Sequence, residues 1–179
     1  MMNEICILGK TFREFIPEVQ IKRRIEELAS QINSDMAGRD VIFLGILNGA
    51  FLFAADLFRR IELPARISFV KFASYRGTSS SGAIKELIGW NDDIENKTIV
   101  IIEDIVDTGN TIERIVGELL IRKAAEVRIA ALFFKPSAYL KSIDIDYIGF
   151  EIPDNFVVGY GLDYEGYGRN LTSVYSLVR

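Results

Sequence analysis

One stretch of the chain constrains the fold more than any other, because it joins an apolar strand to an acidic turn and then to a helix. Residues 98–111 read TIVIIEDIVDTGNT. The β-branched run before Glu103 predicts a strand buried on both faces. Apolar residues at helical spacing follow the turn: Ile112, Ile115, Val116, Leu119 and Leu120. Ligands bind at the carboxyl ends of the strands in open parallel α/β sheets, so the turn is predicted to lie in a ligand site.

The turn combines groups that attract a phosphate with groups that repel one. Thr108, Gly109, Asn110 and Thr111 offer hydroxyls and free backbone N–H groups at the start of a helix, which suit a phosphate. The carboxylates need another partner, which could be sugar hydroxyls, a divalent cation or a proton in transfer. They are Glu103, Asp104 and Asp107. The alternative is an acidic surface turn with a helix cap at Asn110 or Thr111, although capping needs no set of three carboxylates.

Composition excludes several classes of site. The chain has no histidine, so neither a Ser-His-Asp or Cys-His nucleophilic site nor a histidine-ligated zinc is possible. Its single cysteine, Cys6, excludes an internal disulfide and fits the cytoplasm. With a net charge of -4 and no long block of one sign, we expect small-molecule substrates and neither nucleic acid nor membrane as a partner.

Neither the amino terminus nor the longest apolar run of the chain has the features of an export signal or a membrane span. The amino terminus carries charged residues and lacks a continuous apolar core, so we expect no signal peptide. Residues 41–55 are almost wholly apolar, but this run is shorter than the roughly 20 residues of a spanning helix, and Asn48-Gly49 breaks it. It is predicted to be a buried strand followed by a core helix.

The rest of the pattern predicts strands that alternate with helices in one domain. An amphipathic helix after Pro17 buries Ile21, Ile25, Leu28, Ala29 and Ile32, and a second helix covers 51–61. A third follows the acidic turn and ends near residues 122–123. Strands are predicted at 41–47, 67–72, 86–90, 127–134, 145–150, 156–158 and 173–178. The fold class is therefore α/β with a mostly parallel sheet, and residues 75–82 form an exposed mobile loop.

The common nucleotide-binding motifs are missing. No Gly-x-x-x-x-Gly-Lys-Ser/Thr occurs, and no Gly-x-Gly-x-x-Gly follows a strand. Readings as a P-loop NTPase or a dinucleotide-binding protein therefore lose their main support.

The acidic turn instead resembles the signature of a known family. Residues 103–111, EDIVDTGNT, are similar to the motif of the phosphoribosyltransferases, which bind phosphoribosyl pyrophosphate. Further matches, in order and spacing, resemble the hypoxanthine-guanine branch: Ser74-Tyr75, Lys135, the run IPDNFVVGYGLDY at 152–164, and Arg169. The resemblance covers nearly the whole chain.

The resemblance implies roles on the phosphoribosyl side of a site. Thr108, Gly109, Asn110 and Thr111, with Asp107, would embrace the 5′-phosphate. Glu103 and Asp104 would hold the ribose hydroxyls directly or through Mg²⁺. Asp107 would be the catalytic group that exchanges a proton with the purine imidazole ring. Arg169 would hold pyrophosphate, and Ser74 and Tyr75 would close over the site.

It also implies roles on the purine side. Lys135 would donate a hydrogen bond to the 6-oxygen, Phe156 would stack on the base, and the Val157 backbone would read its far edge. Asp163 would bind a second Mg²⁺ together with pyrophosphate.

One turn departs from the family pattern. Where the family usually has Leu-Lys-Gly or Leu-Arg-Gly in its pyrophosphate-binding turn, this chain has Leu47-Asn48-Gly49. Asn48 keeps hydrogen-bonding groups but loses the cation. In the family this turn can contain a cis peptide bond. The resemblance also implies that Asn48 and Gly49 contact pyrophosphate.

The resemblance as a whole implies a magnesium-dependent enzyme of purine salvage that joins hypoxanthine or guanine to phosphoribosyl pyrophosphate. It implies one domain over 1–179, with a Rossmann-like core at about 35–150 and a small hood from the amino-terminal segment and about 151–179. A homodimer or homotetramer is expected.

Two alternatives remain open. A regulatory protein could use phosphoribosyl pyrophosphate as a signal while binding RNA or DNA, although the charge of -4 and the lack of a basic stripe disfavour it. The preferred base could also differ, because Lys135 and Phe156 disfavour adenine and pyrimidines but leave xanthine against guanine undecided.

Overall fold

A computed structural model describes residues 3–74, 84–88 and 93–178 of the chain. Its strands are β1 (Glu4–Ile7), β2 (Lys10–Ile16), β3 (Val41–Leu47), β4 (Ala65–Ser74), β5 (Ile84–Ile88), β6 (Thr98–Val106), β7 (Glu126–Phe134), β8 (Tyr147–Glu151), β9 (Val157–Val158) and β10 (Val174–Leu177). Its helices are α1 (Glu18–Asp35), α2 (Phe51–Phe58) and α3 (Asn110–Ile121). The predicted loop at 75–82 lies outside the described residues.

The larger sheet has six strands in the order β5-β4-β3-β6-β7-β8. All neighbours are parallel except β4 and β5, which pair antiparallel. The central strands β3 and β6 are buried along almost their whole length, because both faces of the sheet are covered by helices. The predicted α/β class with a mostly parallel sheet is therefore confirmed.

The helices form one layer on each side of this sheet. The buried residues of α1 are the predicted stripe: Ile21, Ile25, Leu28, Ala29 and Ile32. They pack with α2 against Phe43 and Val100, whereas α3 packs with Ile42 and Ile101 on the opposite face. Leu120, which we expected to be buried, is exposed, because it lies about 100° around the helix from buried Leu119.

Some predicted boundaries were wrong by a few residues. Helix α2 ends at Phe58 rather than at residue 61. The N–H groups of Arg60 and Ile61 donate to carbonyl oxygens three residues back, at Leu57 and Phe58, which is the pattern of a 3₁₀ turn. The apolar run at 41–55 is a strand and a helix, as expected. Among the described residues, no helix combines the length and apolarity needed to cross a bilayer.

A second sheet, of order β1-β2-β10-β9, joins the two ends of the chain. Its pairings are antiparallel. Strands β1 and β2 were not predicted, because charged residues interrupt them and only Phe12 and Ile16 of β2 are buried.

The strand order creates a crevice at the centre of the larger sheet. The chain passes from β3 outward to β4 and from β6 outward to β7, so β3 and β6 are neighbours whose connections diverge. Ligands bind at such switch points, beyond the carboxyl ends of the strands. The turns that follow β3 and β6 both open into this crevice.

Candidate active site

Three chain segments meet closely in the crevice. A Cβ atom added to Gly49, in the turn after β3, would overlap the carboxylate of Asp104 on β6. A Cβ on Gly161 would overlap the carbonyl oxygen of Gly49. Both positions therefore require glycine for lack of space. Gly49 is buried and Asn48 is exposed, and the Leu47–Asn48 peptide bond is cis, as the resemblance implied.

The acidic turn leads directly into helix α3. Gly109 is the N-cap residue, with φ 83°, and Asn110 is the first helical residue. No side chain caps this helix, so the alternative of a cap at Asn110 or Thr111 was wrong. The first N–H groups of the helix lack intrahelical partners and face a small cavity lined by Glu103 and residues 105–112. This geometry suits an anion.

The turn is supported from behind by residues that the sequence did not single out. A Cβ on Gly109 would collide with the Tyr139 ring and the Lys141 side chain. The Tyr139 hydroxyl donates to the Ile143 carbonyl oxygen (2.6 Å), and Leu140 N–H donates to the Thr108 carbonyl oxygen (3.3 Å). The loop after β7 therefore fixes the backbone of the turn. No local signal could have found this contact, because 30 residues separate Gly109 from Tyr139.

Glu103 and Asp104 form a buried pair of carboxyl groups, each 9% exposed. Burial raises the pKa of Asp104 to about 6, although backbone amides and the charge of Arg169 act in the opposite direction. Burial, followed by the charge of Asp104, raises the pKa of Glu103 well above its usual range. Among the residues that the structure describes, none forms a hydrogen bond with the Oε2 atom of Glu103. Ionisation of the buried pair therefore costs free energy unless a cation or hydrogen-bond donors of a ligand bind to the two carboxylates.

We expect Glu103→Gln to stabilise the protein at pH 8 by roughly 1 kcal/mol in the free energy of unfolding. A carboxyl group whose pKa is raised by folding weakens folding above its unfolded-state pKa and has no such effect below it. The gain should therefore vanish near pH 4. Urea unfolding of both proteins at the two pH values measures it, with Glu118→Gln, an exposed position on α3, as the control. Equal stabilities at pH 8 would contradict this account.

A second cluster forms where β6, β7 and β8 end side by side. Val106 pairs with Phe134, and Phe134 with Glu151, so the following residues of the three strands are neighbours. Lys135 is 7% exposed. Its Nζ atom lies 3.0 Å from Asp154 Oδ1 and 3.6 Å from Asp107 Oδ2. Lys135 and Asp107 thus meet at one edge of the crevice, and Asp154 joins them without having been predicted.

Arg169 and Asp163 form an ion pair at the opposite edge of the crevice. Arg169 Nη2 lies 2.5 Å from Asp163 Oδ1, and Nη1 donates to the Gly161 carbonyl oxygen at 2.7 Å. Asp163 Oδ2 accepts a hydrogen bond from Gly166 N–H (2.7 Å). Both oxygens of Asp163 therefore already have protein partners.

Phe156 presents a partly exposed aromatic ring next to the second sheet. It is 47% exposed, and its ring packs on Phe12 (6.3 Å between centroids) and edge-on to Tyr164 (5.8 Å). Val157, the next residue, is buried and pairs with Ser176 of β10. The second sheet thus holds Phe156 with part of its ring accessible.

One of the remaining predicted site residues, Ser74, lies at the end of β4. Ser74 is its last residue, and its backbone pairs with Ile84. Tyr75 and the segment 78–82 lie outside the described residues, so closure over the site stays a prediction.

The carboxyl pair fits a magnesium ion that takes its other ligands from a substrate. In the part of the chain that the structure describes, no three His, Cys, Asp or Glu side chains gather into a metal site. Mg²⁺ is commonly held by one or two carboxylates together with substrate phosphates and water. Glu103 and Asp104 supply two such carboxylates, and the unpartnered Glu103 Oε2 atom is a hard oxygen donor.

Comparisons with known proteins agree with this geometry. The family model "Phosphoribosyl transferase domain" matches residues 17–165. A hypoxanthine-guanine phosphoribosyltransferase of Aquifex aeolicus is 39% identical over 171 residues, which cover 94% of this chain and 96% of that protein. A hypoxanthine phosphoribosyltransferase of Salmonella typhimurium is 38% identical with the same coverage.

Solved structures give the same result. The crystal structure of a hypoxanthine phosphoribosyltransferase from Staphylococcus aureus superposes with a TM-score of 0.87 at 38% identity, covering 92% of this chain and 90% of that one. A hypoxanthine-guanine phosphoribosyltransferase from Bacillus anthracis gives a TM-score of 0.85 at 31% identity, covering 99% of each chain. The chain therefore belongs to the phosphoribosyltransferase family, in its hypoxanthine and hypoxanthine-guanine branch.

Proposed function

We propose that this protein transfers the phosphoribosyl group of phosphoribosyl pyrophosphate to hypoxanthine or guanine, giving IMP or GMP and pyrophosphate, in purine salvage. The observation that carries the proposal is the grouping of Asp107 and Lys135 beside the open amino terminus of α3. An anion site, a carboxylate and a buried cation at one edge of a sheet match the needs of a phosphoribosyl donor and an oxopurine.

Phosphoribosyl pyrophosphate would lie along the crevice. The backbone amides and hydroxyls of residues 108–111 would bind its 5′-phosphate, as helix amino termini do. Glu103 and Asp104 would hold the ribose hydroxyls and a magnesium ion. The pyrophosphate group would reach the Asn48-Gly49 turn and Arg169, whose guanidinium can pair with two phosphoryl oxygens.

Magnesium, when bound, would supply positive charge to the departing pyrophosphate. Glu103 and Asp104 are the residues that we propose for this ion. Asp163 is proposed for a second ion, because its carboxylate would become available when Arg169 turns from it to the pyrophosphate.

The purine would lie between Phe156 and the end of β7. Stacking on an aromatic ring contributes about 1–3 kcal/mol per base. Lys135 would donate to the 6-oxygen, while the backbone of Val157 would read the far edge of the base. The amino group at position 6 of adenine is itself a donor, so it cannot accept a hydrogen bond from Lys135, and mismatches of this kind are strongly rejected.

Asp107 would act as the general base. One imidazole nitrogen of the purine attacks the anomeric carbon, the bond from that carbon to pyrophosphate breaks, and Asp107 accepts the proton from the other imidazole nitrogen. The Asp107 side chain is 50% exposed, so it is open to a base bound in the crevice.

A spectrophotometric assay tests the proposal. With phosphoribosyl pyrophosphate and Mg²⁺ we expect turnover of hypoxanthine and guanine and little of adenine. The rate with xanthine decides whether this base is also accepted. Absence of turnover with every base would overturn the proposed function and favour the regulatory alternative, in which the same site only senses phosphoribosyl pyrophosphate.

We expect Asn48→Lys to lower the KM for phosphoribosyl pyrophosphate roughly threefold, because it adds a cation beside the proposed pyrophosphate site. The gain should shrink as ionic strength rises, since Asn48 is exposed. Steady-state kinetics at low and high salt measure both effects. Gln31→Lys, which adds the same charge at an exposed position on α1, is the control. An unchanged KM would mean that residue 48 does not face the ligand.

We also propose a cytoplasmic enzyme that assembles as a homodimer or homotetramer. Light scattering of the purified protein measures its mass against the 20.2 kDa of one chain.

A further inference from the structure

The contact between Lys135 and Asp154 is not explained by the roles proposed above. Lys135 is a buried cation with two carboxylates within reach. Asp154 accepts a hydrogen bond from its Nζ atom at 3.0 Å. Asp107 lies farther away at 3.6 Å and makes no hydrogen bond with it. The ammonium group is therefore held on the Asp154 side.

The backbone around both residues is well fixed. Lys135 N–H donates to the Val106 carbonyl oxygen (3.0 Å), which anchors the lysine beside the end of β6. Ile152 N–H donates to the Phe134 carbonyl oxygen (2.8 Å), and Asn155 N–H donates to the Pro153 carbonyl oxygen (2.7 Å). The tight turn that carries Asp154 is thus tied to the end of β7. The backbone of this turn therefore keeps the Asp154 carboxylate within reach of the lysine.

The lysine of this cluster is buried, whereas its two carboxylate partners are largely exposed. The Lys135 side chain is 9% exposed, whereas those of Asp107 and Asp154 are 50% and 63% exposed. A buried ammonium group seeks the nearest carboxylate, because an unpaired charge is expensive to bury. Without Asp154, the nearest carboxylate would be that of Asp107.

We propose that Asp154 is a positioning residue for base recognition, which keeps the Lys135 ammonium group off Asp107. An ammonium group has three donors, and one of them is used by Asp154. The other two are then free for the 6-oxygen of the purine, while the Asp107 carboxylate stays open to the imidazole proton. This inference rests on the proposed function of Lys135 and Asp107.

The test is Asp154→Asn, which preserves shape but removes the charge. In this variant Lys135 should close on Asp107, so that both groups are less available to the base. We expect the KM for hypoxanthine to rise about tenfold, as for loss of a hydrogen bond to a charged group, with the KM for phosphoribosyl pyrophosphate changed less than about twofold. Asp154→Glu, which keeps the carboxylate, should recover most of the loss. Asp144→Asn, at an exposed position before β8, is the control.

A double-mutant comparison tests whether Asp154 acts through Lys135. In a Lys135→Met background, Asp154→Asn should cause no further loss in kcat/KM for hypoxanthine, because residues that act as one unit are not additive. Full additivity would overturn the inference, as would an unchanged KM for hypoxanthine or an equal rise in KM for both substrates. A thermal unfolding scan of each variant shows whether the fold is retained, and if Asp154→Asn unfolds, Asp154→Glu and Asp154→Ser are compared instead. These outcomes are separable from failure of the proposed function, which would appear as an inactive parent protein.

Discussion

Asp107→Asn is expected to lower kcat with hypoxanthine by about 10²–10⁴-fold, the contribution typical of general acid–base catalysis. The substitution removes the proton acceptor but keeps the size and hydrogen-bonding geometry of the side chain. The KM for phosphoribosyl pyrophosphate should change less than about threefold, because we propose that the backbone amides of the turn bind the 5′-phosphate. The half-exposed position of Asp107 means that the fold should tolerate the change.

Steady-state kinetics with each substrate varied in turn separate the two roles of this residue. Asp93→Asn is the matched control, since its exposed side chain accepts the Glu95 N–H through an oxygen that asparagine retains. Equal losses in kcat and in affinity for phosphoribosyl pyrophosphate would make Asp107 a binding residue only.

The strand, turn and helix around Asp107 could be predicted because their signals are local. The β-branched run at 99–102 is apolar enough to identify a buried strand, and the turn chemistry lies within a few residues of it. The predicted end of this strand was too early, because β6 continues through Glu103 and Asp104 to Val106. Local signals also predict β3, whose predicted and observed bounds coincide at Val41–Leu47. A strand buried on both faces has a composition that few other elements share.

Strands β1 and β2 could not be predicted, because their stability comes from distant partners. Lys10–Ile16 contains three charged residues and buries only Phe12 and Ile16. It becomes a strand by pairing with β10, more than 150 residues later in the chain. Single-sequence patterns do not contain such pairing information.

The identities of the site residues could be predicted, but the contacts between them could not. Family resemblance brought Asp107 and Lys135 forward as site residues, but it did not indicate their 3.6 Å separation or the hydrogen bond to Asp154. Those contacts depend on the register of β6, β7 and β8, which places three strand ends side by side. Likewise, Gly49 packs against Asp104 because β3 and β6 are neighbours in the sheet, and the local sequence around either residue does not indicate this contact.

That packing leads to the second large effect, which is expected from Gly49→Ala. The added methyl group would overlap the buried Asp104 carboxylate, so either the turn or the carboxylate must move. Overpacking of this kind costs about 1–3 kcal/mol in the free energy of unfolding. Displacement of a binding group by about 1 Å can lower the rate about 100-fold, so kcat/KM for phosphoribosyl pyrophosphate should fall by at least that factor.

Gly117→Ala is the matched control, because it makes the same chemical change on α3, where a Cβ would meet no atom within 4 Å. That variant should gain roughly 0.5–1 kcal/mol, since alanine is the better helix former, and should keep its kinetics. Urea unfolding and steady-state assays of both variants make the comparison. If Gly49→Ala kept the stability and kinetics seen for Gly117→Ala, the turn after β3 would accommodate a methyl group. Contact with Gly49 would then not determine the position of the Asp104 carboxylate. If it lost activity but not stability, the carboxylate would have swung into the crevice, which would still place Asp104 where the ribose and its metal ion are proposed to bind.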